Sequence, residues 1–275
     1  MKNLIMAIGL LLVLGVSTFT PTGNAVEKVD IFVYTETVQW IAQGQAQEEA
    51  DEFIKEVDGQ PGIGDVVNLG SKDIADWTKD HTVKEGHHII VLFGDIHPEI
   101  YPAANAKKDG SIAEEFLDAG NTFTNSADYF FWGLAGRNEE GGLQNMMDIP
   151  GIVQWDDNTQ MSVTKEGKKI TPSLKDYATD RPFHTDQLDN KWEVELALAS
   201  DSGDQKGDRC DPCIIRNVNT DARLIQVYQT NGQKDPKGKV LAEIILNYYL
   251  ETVGALAVEP EKKLPITWGE IKSRR

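Results

Sequence analysis

The sequence predicts an α/β protein with a mostly parallel sheet covered by helices on both faces. Three observations carry that reading. Strand-like runs alternate with helix-period segments from residue 29 onward. The run from His88 to Phe93 is apolar enough to be buried on both sides, as central parallel strands are. The stretch SIAEEFLDAGNTFTNSADYFFW, Ser111 to Trp132, reads as a capped helix, a glycine stop, a strand and a sharp turn.

Each element follows in order. Ile31 to Tyr34 is a β-branched and aromatic run, and Ala46, Ala50, Phe53, Ile54 and Val57 then recur at helical spacing. Residues 59–64 break that helix, Val66 and Val67 lie in a second strand, and Ser71 opens a short helix containing Ile74 and Trp77. After the third strand come the loop residues Gly94 to Pro98. The next helix has Ser111 and Glu114 at capping-box spacing and Gly120 at its left-handed stop, and it leads into the strand Asn121 to Asn125. From 133 to 182 the rhythm is lost, and Lys165-Glu166-Gly167 resembles a hairpin turn, so the segment reads as an irregular insertion or cap. Strand-like order returns at Trp192 to Ala199, Ile214 to Val218 and Arg223 to Tyr228, with Asn219 to Ala222 as a turn. Val240, Leu241, Ile244, Ile245 and Tyr248 then form the apolar face of a closing helix.

The ends differ from this body. Lys2, the apolar run Leu4 to Val16 and Gly23-Asn24-Ala25 match the three regions of a secretory signal peptide, which places the mature start at Val26 and the protein outside the cytoplasm, secreted or periplasmic. Residues 26–259 then form one domain and 260–275 a polar tail, because no long Pro/Ser-rich linker or internal repeat divides the chain. The net charge of −17 is unfavourable for contact with nucleic acid or with anionic lipid, so neither is expected as a partner after cleavage. Oligomeric state is not legible.

The order of elements, with FLDAGNTFTNSADY at the fourth strand and RLIQVYQTNGQKDPKGKVLAEIILNYYL as a late strand and closing helix, resembles the class I glutamine-amidotransferase-like fold, nearest its trehalose-utilisation (ThuA-like) branch. That resemblance implies a three-layer, flavodoxin-like sheet. It also implies a nucleophile in the turn after the fourth strand, where the amidotransferases carry cysteine. Here Ser126 stands in that turn and both cysteines lie elsewhere, so glutamine hydrolysis through a thiolate is not supported. His184-Thr185-Asp186 has a spacing like the family's His-x-Glu, which makes Ser126, His184 and Asp186 a candidate triad.

Function in an open α/β sheet gathers at the carboxyl ends of strands. Asp95, His97, Asn125, Ser126 and Asp128 are therefore expected to converge beyond the third and fourth strands. Asp95 and His97, with Glu99, His184 and Asp186 nearby, are candidate ligands for a divalent metal; otherwise no cofactor is expected. Tyr129 and Trp132 are candidate ligand-stacking rings, with Tyr101, Phe130 and Phe131 divided between mouth and core. Cys210 and Cys213 are expected as a short structural disulfide in an oxidising compartment. The expected function is binding of a small molecule or carbohydrate without glutaminase activity. The alternatives are a hydrolase of glycosides or esters working through Ser126 or a metal, and an interaction module without a ligand.

Overall fold

A computed structural model describes residues 28–83, 86–103, 110–133, 138–232 and 234–255. The expected signal segment 1–25 and tail 260–275 lie outside them. Among the described residues no helix is long and apolar enough to cross a membrane.

The first half alternates strand and helix: β1 (Val29–Tyr34), α1 (Gln43–Val57), β2 (Ile63–Asn68), α2 (Ile74–Asp80), β3 (Ile89–Leu92), α3 (Ile112–Asp118) and β4 (Thr122–Asn125). Successive side chains of a strand point to opposite faces, so apolar residues at every position build two cores. Ile31, Val33, Ile89 and Val91 enter one core with Ala46, Ala50 and Phe53 of α1. Phe32, Tyr34, Ile90 and Leu92 enter the other with Ile74 of α2 and Phe116 of α3. The Ser111 capping box forms as its spacing predicts, with Glu114 N donating to Ser111 Oγ at 3.1 Å and Ser111 N donating to Glu114 Oε2 at 2.7 Å. Gly120 takes φ 97°, a conformation open to glycine because it has no Cβ.

The segment after β4 interleaves loops with short regular elements, some of them inside the expected insertion 133–182. It holds α4 (Gly141–Met147), β5 (Thr159–Val163), α5 (Lys165–Ile170), β6 (Tyr177–Thr179), β7 (Phe183–His184), β8 (Trp192–Ala197), β9 (Ala199–Ser200), β10 (Arg209–Cys210), β11 (Cys213–Asn217) and β12 (Arg223–Gln226). Lys165-Glu166-Gly167 is the first turn of α5 and not a hairpin turn. Thr164 caps it by accepting from Gly167 N at 2.9 Å. Glycine is required at 167 because a Cβ would fall 2.0 Å from the carbonyl oxygen of Leu198.

Two sheets result. The main sheet runs β2-β1-β3-β4-β12-β11-β8, parallel through β12 and antiparallel beyond it. The second runs β6-β5-β9-β10-β7 and is antiparallel. The molecule is thus α/β with helices on both faces, but the antiparallel extension and the second sheet take it beyond a simple flavodoxin-like layout. The closing helix α6 (Lys237–Ile244) widens into a π-helical turn at Ile245–Tyr249, which seats the Tyr249 hydroxyl 2.8 Å from both Thr122 Oγ1 and the His87 carbonyl.

The expected disulfide is absent. Cys210 and Cys213 are free, buried thiols, and Cys213 Sγ lies 3.5 Å from the carbonyl oxygen of Cys210. The turn between β10 and β11 thus directs the second sulfur at backbone. Burial also raises the Cys213 thiol pKa well above its ordinary value, which keeps it protonated.

Candidate functional site

Strand register sets the site. Tyr34 of β1, Leu92 of β3, Asn125 of β4 and Gln226 of β12 lie side by side at the carboxyl ends of their strands. Three residues beyond each stand Thr37, Asp95, Asp128 and Gln229, and hydrogen bonds join this outer row. Asp95 N donates to the Thr37 carbonyl at 2.8 Å. Asp128 N donates to Gln229 Oε1 at 2.8 Å, and Gln229 Nε2 donates back to the Asn125 carbonyl at 3.2 Å.

At the centre of the row Asp95 and Asp128 are near enough for the charge of Asp128 to act on Asp95. Like charges so placed disfavour ionisation of both. Asp95 is 1% exposed and its pKa is pushed up to about 7, first by burial and then by the charge of Asp128. Asp128 is raised as well, chiefly by burial, against the opposing influence of the Tyr129 amide and the Arg181 charge. The Tyr129 amide donates to Asp128 Oδ1 at 2.6 Å, and the Gln39 amide donates to Asp95 Oδ2.

Above the pair opens a cleft of about 250 Å³ lined by Gln39, Trp40, Asp128, Trp132, Trp155 and Arg181. Trp132 and Trp155 meet edge to face with centroids 5.2 Å apart. The Arg181 guanidinium lies 4.3 Å from the Trp155 ring and 5.1 Å from that of Trp40, and it is paired with Asp157. Trp155 is 41% exposed, so much of a large apolar surface faces solvent at the cleft.

Among the residues expected from sequence, Asp95 and Asp128 stand in neighbouring positions of the outer row, and Asp128 and Trp132 line the cleft. The others are placed differently. Asn125 Nδ2 donates to the Tyr129 carbonyl at 3.2 Å, so this side chain shapes the turn. Tyr129 is fully buried and its hydroxyl accepts from Gln154 N at 2.8 Å, which removes it from the ligand surface. Phe130, Phe131 and Tyr101 are core residues. The His97 ring packs edge-on against Tyr34 at 5.5 Å, and its Nδ1 accepts from Glu99 N at 3.1 Å, so it does not join Asp95 as a ligand pair. Among the described residues no three His, Cys, Asp or Glu side chains form a metal-ligand group.

The candidate triad is not assembled. Ser126 is 2% exposed and no group is bonded to its hydroxyl, nor is either ring nitrogen of His184 hydrogen-bonded. His184 belongs to β7, paired with Arg209 of β10 in the second sheet, and Asp186 accepts from Arg209 Nη1 at 2.7 Å instead of orienting the histidine. Burial and the Arg209 charge lower the His184 pKa. The strained residue of the turn is Ala127, at φ 66°, one position beyond Ser126. A nucleophile elbow holds its reactive side chain on such a backbone. Here the position carries a methyl group, buried in the first core.

No family model and no curated protein matches the chain. Among solved structures, one described as a ThuA-like protein from Bacteroides uniformis is similar, at 13% identity and a TM-score of 0.43, over 84% of this chain and 97% of that one.

Gln39, Trp40, Trp155, Arg181 and Gln229 were not legible as site residues. A signal existed for Trp155, which stands beside Asp156-Asp157 in a polar stretch where no apolar periodicity asks for a core tryptophan. For Gln229 the signal is positional, three residues beyond a parallel strand end like Asp95 and Asp128, and it appears once the register is known.

Proposed function

We propose that the chain binds a carbohydrate in the cleft over Asp95 and Asp128 and does not hydrolyse glutamine. The observation that carries this reading is the set of three indole rings, Trp40, Trp132 and Trp155, around the polar ends of Gln39, Asp128 and Arg181. A pyranose has C–H faces that stack on flat apolar rings and hydroxyls that pair with carboxylate, amide and guanidinium groups. For glutaminase chemistry the resembled family uses a cysteine at the strained turn, and Ala127 offers no nucleophilic atom there.

The hydrolase reading gains no specific support from the carboxyl pair. Carboxyls that flank a glycosidic bond must both reach the substrate, whereas Asp95 is almost fully buried and of the two only Asp128 lines the cleft. Export belongs to the same proposal: the mature chain starts at Val26, and N-terminal sequencing of exported protein tests it, with an intact Met1 overturning it.

Calorimetric titration of the full mature chain with a panel of neutral mono- and disaccharides tests the binding reading. At least one sugar binds, and Trp155→Ala weakens it about tenfold or more, in line with buried tryptophan anchors at interfaces. A panel with no binder would overturn the reading. Because Trp155 also packs on Tyr129, Trp132 and Arg181, urea unfolding of Trp155→Ala is measured beside the titration, and the variant should remain folded at the temperature of the titration.

A further inference from the structure

We propose that the ligand of this cleft is a pyranose bearing a carboxylate, and that the open edge of the Arg181 guanidinium holds that carboxylate. This rests on the carbohydrate reading above and adds a charge to it.

The chain uses only part of Arg181. Its Nη1 donates to Asp157 Oδ1 and, at 2.6 Å, to the Asp180 carbonyl. Nε and Nη2 donate to no atom of the described residues, and neither is buried beyond the reach of a guest in the cleft that Arg181 lines. A guanidinium presents its donors as a planar fork, and two N–H groups on one edge match the two oxygens of a carboxylate. Stacking on Trp155 at 4.3 Å and Trp40 at 5.1 Å, with Nη1 anchored, positions that edge before a guest arrives. Asp157 is 64% exposed, so water shares its charge and it cancels that of Arg181 only in part.

The rest of the lining orients the ligand. Among the lining residues Asp128 carries the one carboxyl, and it would repel a second carboxylate beside it. The sugar therefore lies with hydroxyls toward Asp128 and Gln39, ring faces on the indoles, and its carboxylate at Arg181. A volume of about 250 Å³ falls below the roughly 300–1,000 Å³ of drug-sized ligand sites, which suits one pyranose ring. A phosphate in place of the carboxylate would bring a further negative charge to a cleft with a single guanidinium. The net charge of −17 repels anions at long range, but that field fades over about 8 Å at physiological ionic strength, whereas paired N–H donors act at contact.

The test is calorimetric titration of the full mature chain, at about pH 7 and about 0.15 M salt, with matched pairs of sugars: glucose and glucuronate, galactose and galacturonate, mannose and mannuronate. In at least one pair the uronate binds about tenfold tighter than its neutral partner, or more, as expected for charge-assisted hydrogen bonds. The methyl ester of that uronate, which keeps the ring and loses the charge, falls back to the affinity of the neutral sugar. Arg181→Lys, which keeps the charge and loses the planar edge, removes most of the margin. If a neutral sugar binds and no uronate reaches that margin, or if the ester or a folded Arg181→Lys keeps it, the proposal is overturned while the carbohydrate reading stands. Tighter binding of glucose 6-phosphate than of glucuronate would likewise overturn the carboxylate assignment. If no sugar of either kind binds, the carbohydrate reading fails. The ester comparison on the unaltered chain decides the matter even if Arg181→Lys fails to fold.

Discussion

Residues 29–125 and residues 126–229 build neighbouring parts of the molecule by different means. The first segment is organised by volume. Its strands alternate large apolar residues between two cores, and parallel backbone ladders join them. The second is held together by buried amide and carboxyl side chains. Gln154 accepts from Phe130 N at 2.9 Å and donates to Gln226, Gln226 donates to the Arg181 carbonyl at 3.0 Å, and Asp211 accepts from Gln229 N at 2.8 Å and from Thr179. These bonds place Trp155, Arg181 and Asp128 around the cleft. A periodic scaffold and a loop assembly held by polar pairing therefore meet at the carboxyl ends of β3 and β4.

The comparison is most easily broken at Phe123. It is fully buried between Phe116 and Phe131, so Phe123→Ala should lower stability by about 3–5 kcal/mol in urea unfolding. A loss below about 1 kcal/mol would mean that packing volume does not dominate the first segment.

The second effect is a pH dependence. The Asp95 pKa is raised in the folded state to about 7, above its unfolded value near 4. The native state therefore binds the extra proton across that window. Stability is highest below about pH 4 from this group and falls as pH rises toward 7, by at most about 1.4 kcal/mol per pH unit. Asp211, raised by burial to about 6, acts with the same sign up to that pH. In the interval just above it Asp95 acts against His97 and His184, whose lowered pKa values add stability as pH rises. The change in urea midpoint between pH 6 and pH 8 should therefore shift toward greater stability at pH 8 in Asp95→Asn relative to the unaltered chain; an identical change in both would remove the raised Asp95 pKa from the account.

In the second segment Asp211→Ala leaves the Gln229 amide and the Thr179 hydroxyl without their buried acceptor, at a loss of about 1–3 kcal/mol. A neutral result would show that apolar packing, and not polar pairing, holds this segment. Smallest of all is Ser126→Ala. The hydroxyl is buried without a partner, so its removal should change stability by less than about 0.5 kcal/mol and leave ligand affinity intact. A tenfold loss of affinity would return Ser126 to the site.

Why one segment was legible and the other was not follows from the same physics. Helix and strand periods appear in the order of residues, so β1 to β4, α1 and the Ser111 cap could be read directly. Asp95 and Asp128 could be named because both follow strands, but their being neighbours in the outer row depends on the pairing of Leu92 with Asn125, and register is not written in either strand alone. Trp40, Trp155 and Arg181 lie outside the regular elements, in segments positioned partly by glutamine side chains distant in sequence. Lys165-Glu166-Gly167 misled for a related reason. Its glycine answers to the Leu198 carbonyl across the fold and not to a local turn.

The stacking of Arg181 between Trp40 and Trp155 has an entropic consequence. Indole side chains that face open solvent usually lose rotational freedom when a guest arrives, and that loss subtracts from affinity. Here the guanidinium restrains both rings before any guest enters, and Asp157 restrains the guanidinium. The ordering is therefore completed during folding, and the cleft receives its ligand as a stiff surface. Free and occupied forms should differ little in backbone, and Arg181→Ala should weaken binding of a neutral sugar mainly through a larger entropic penalty with the enthalpy of stacking on Trp132 retained.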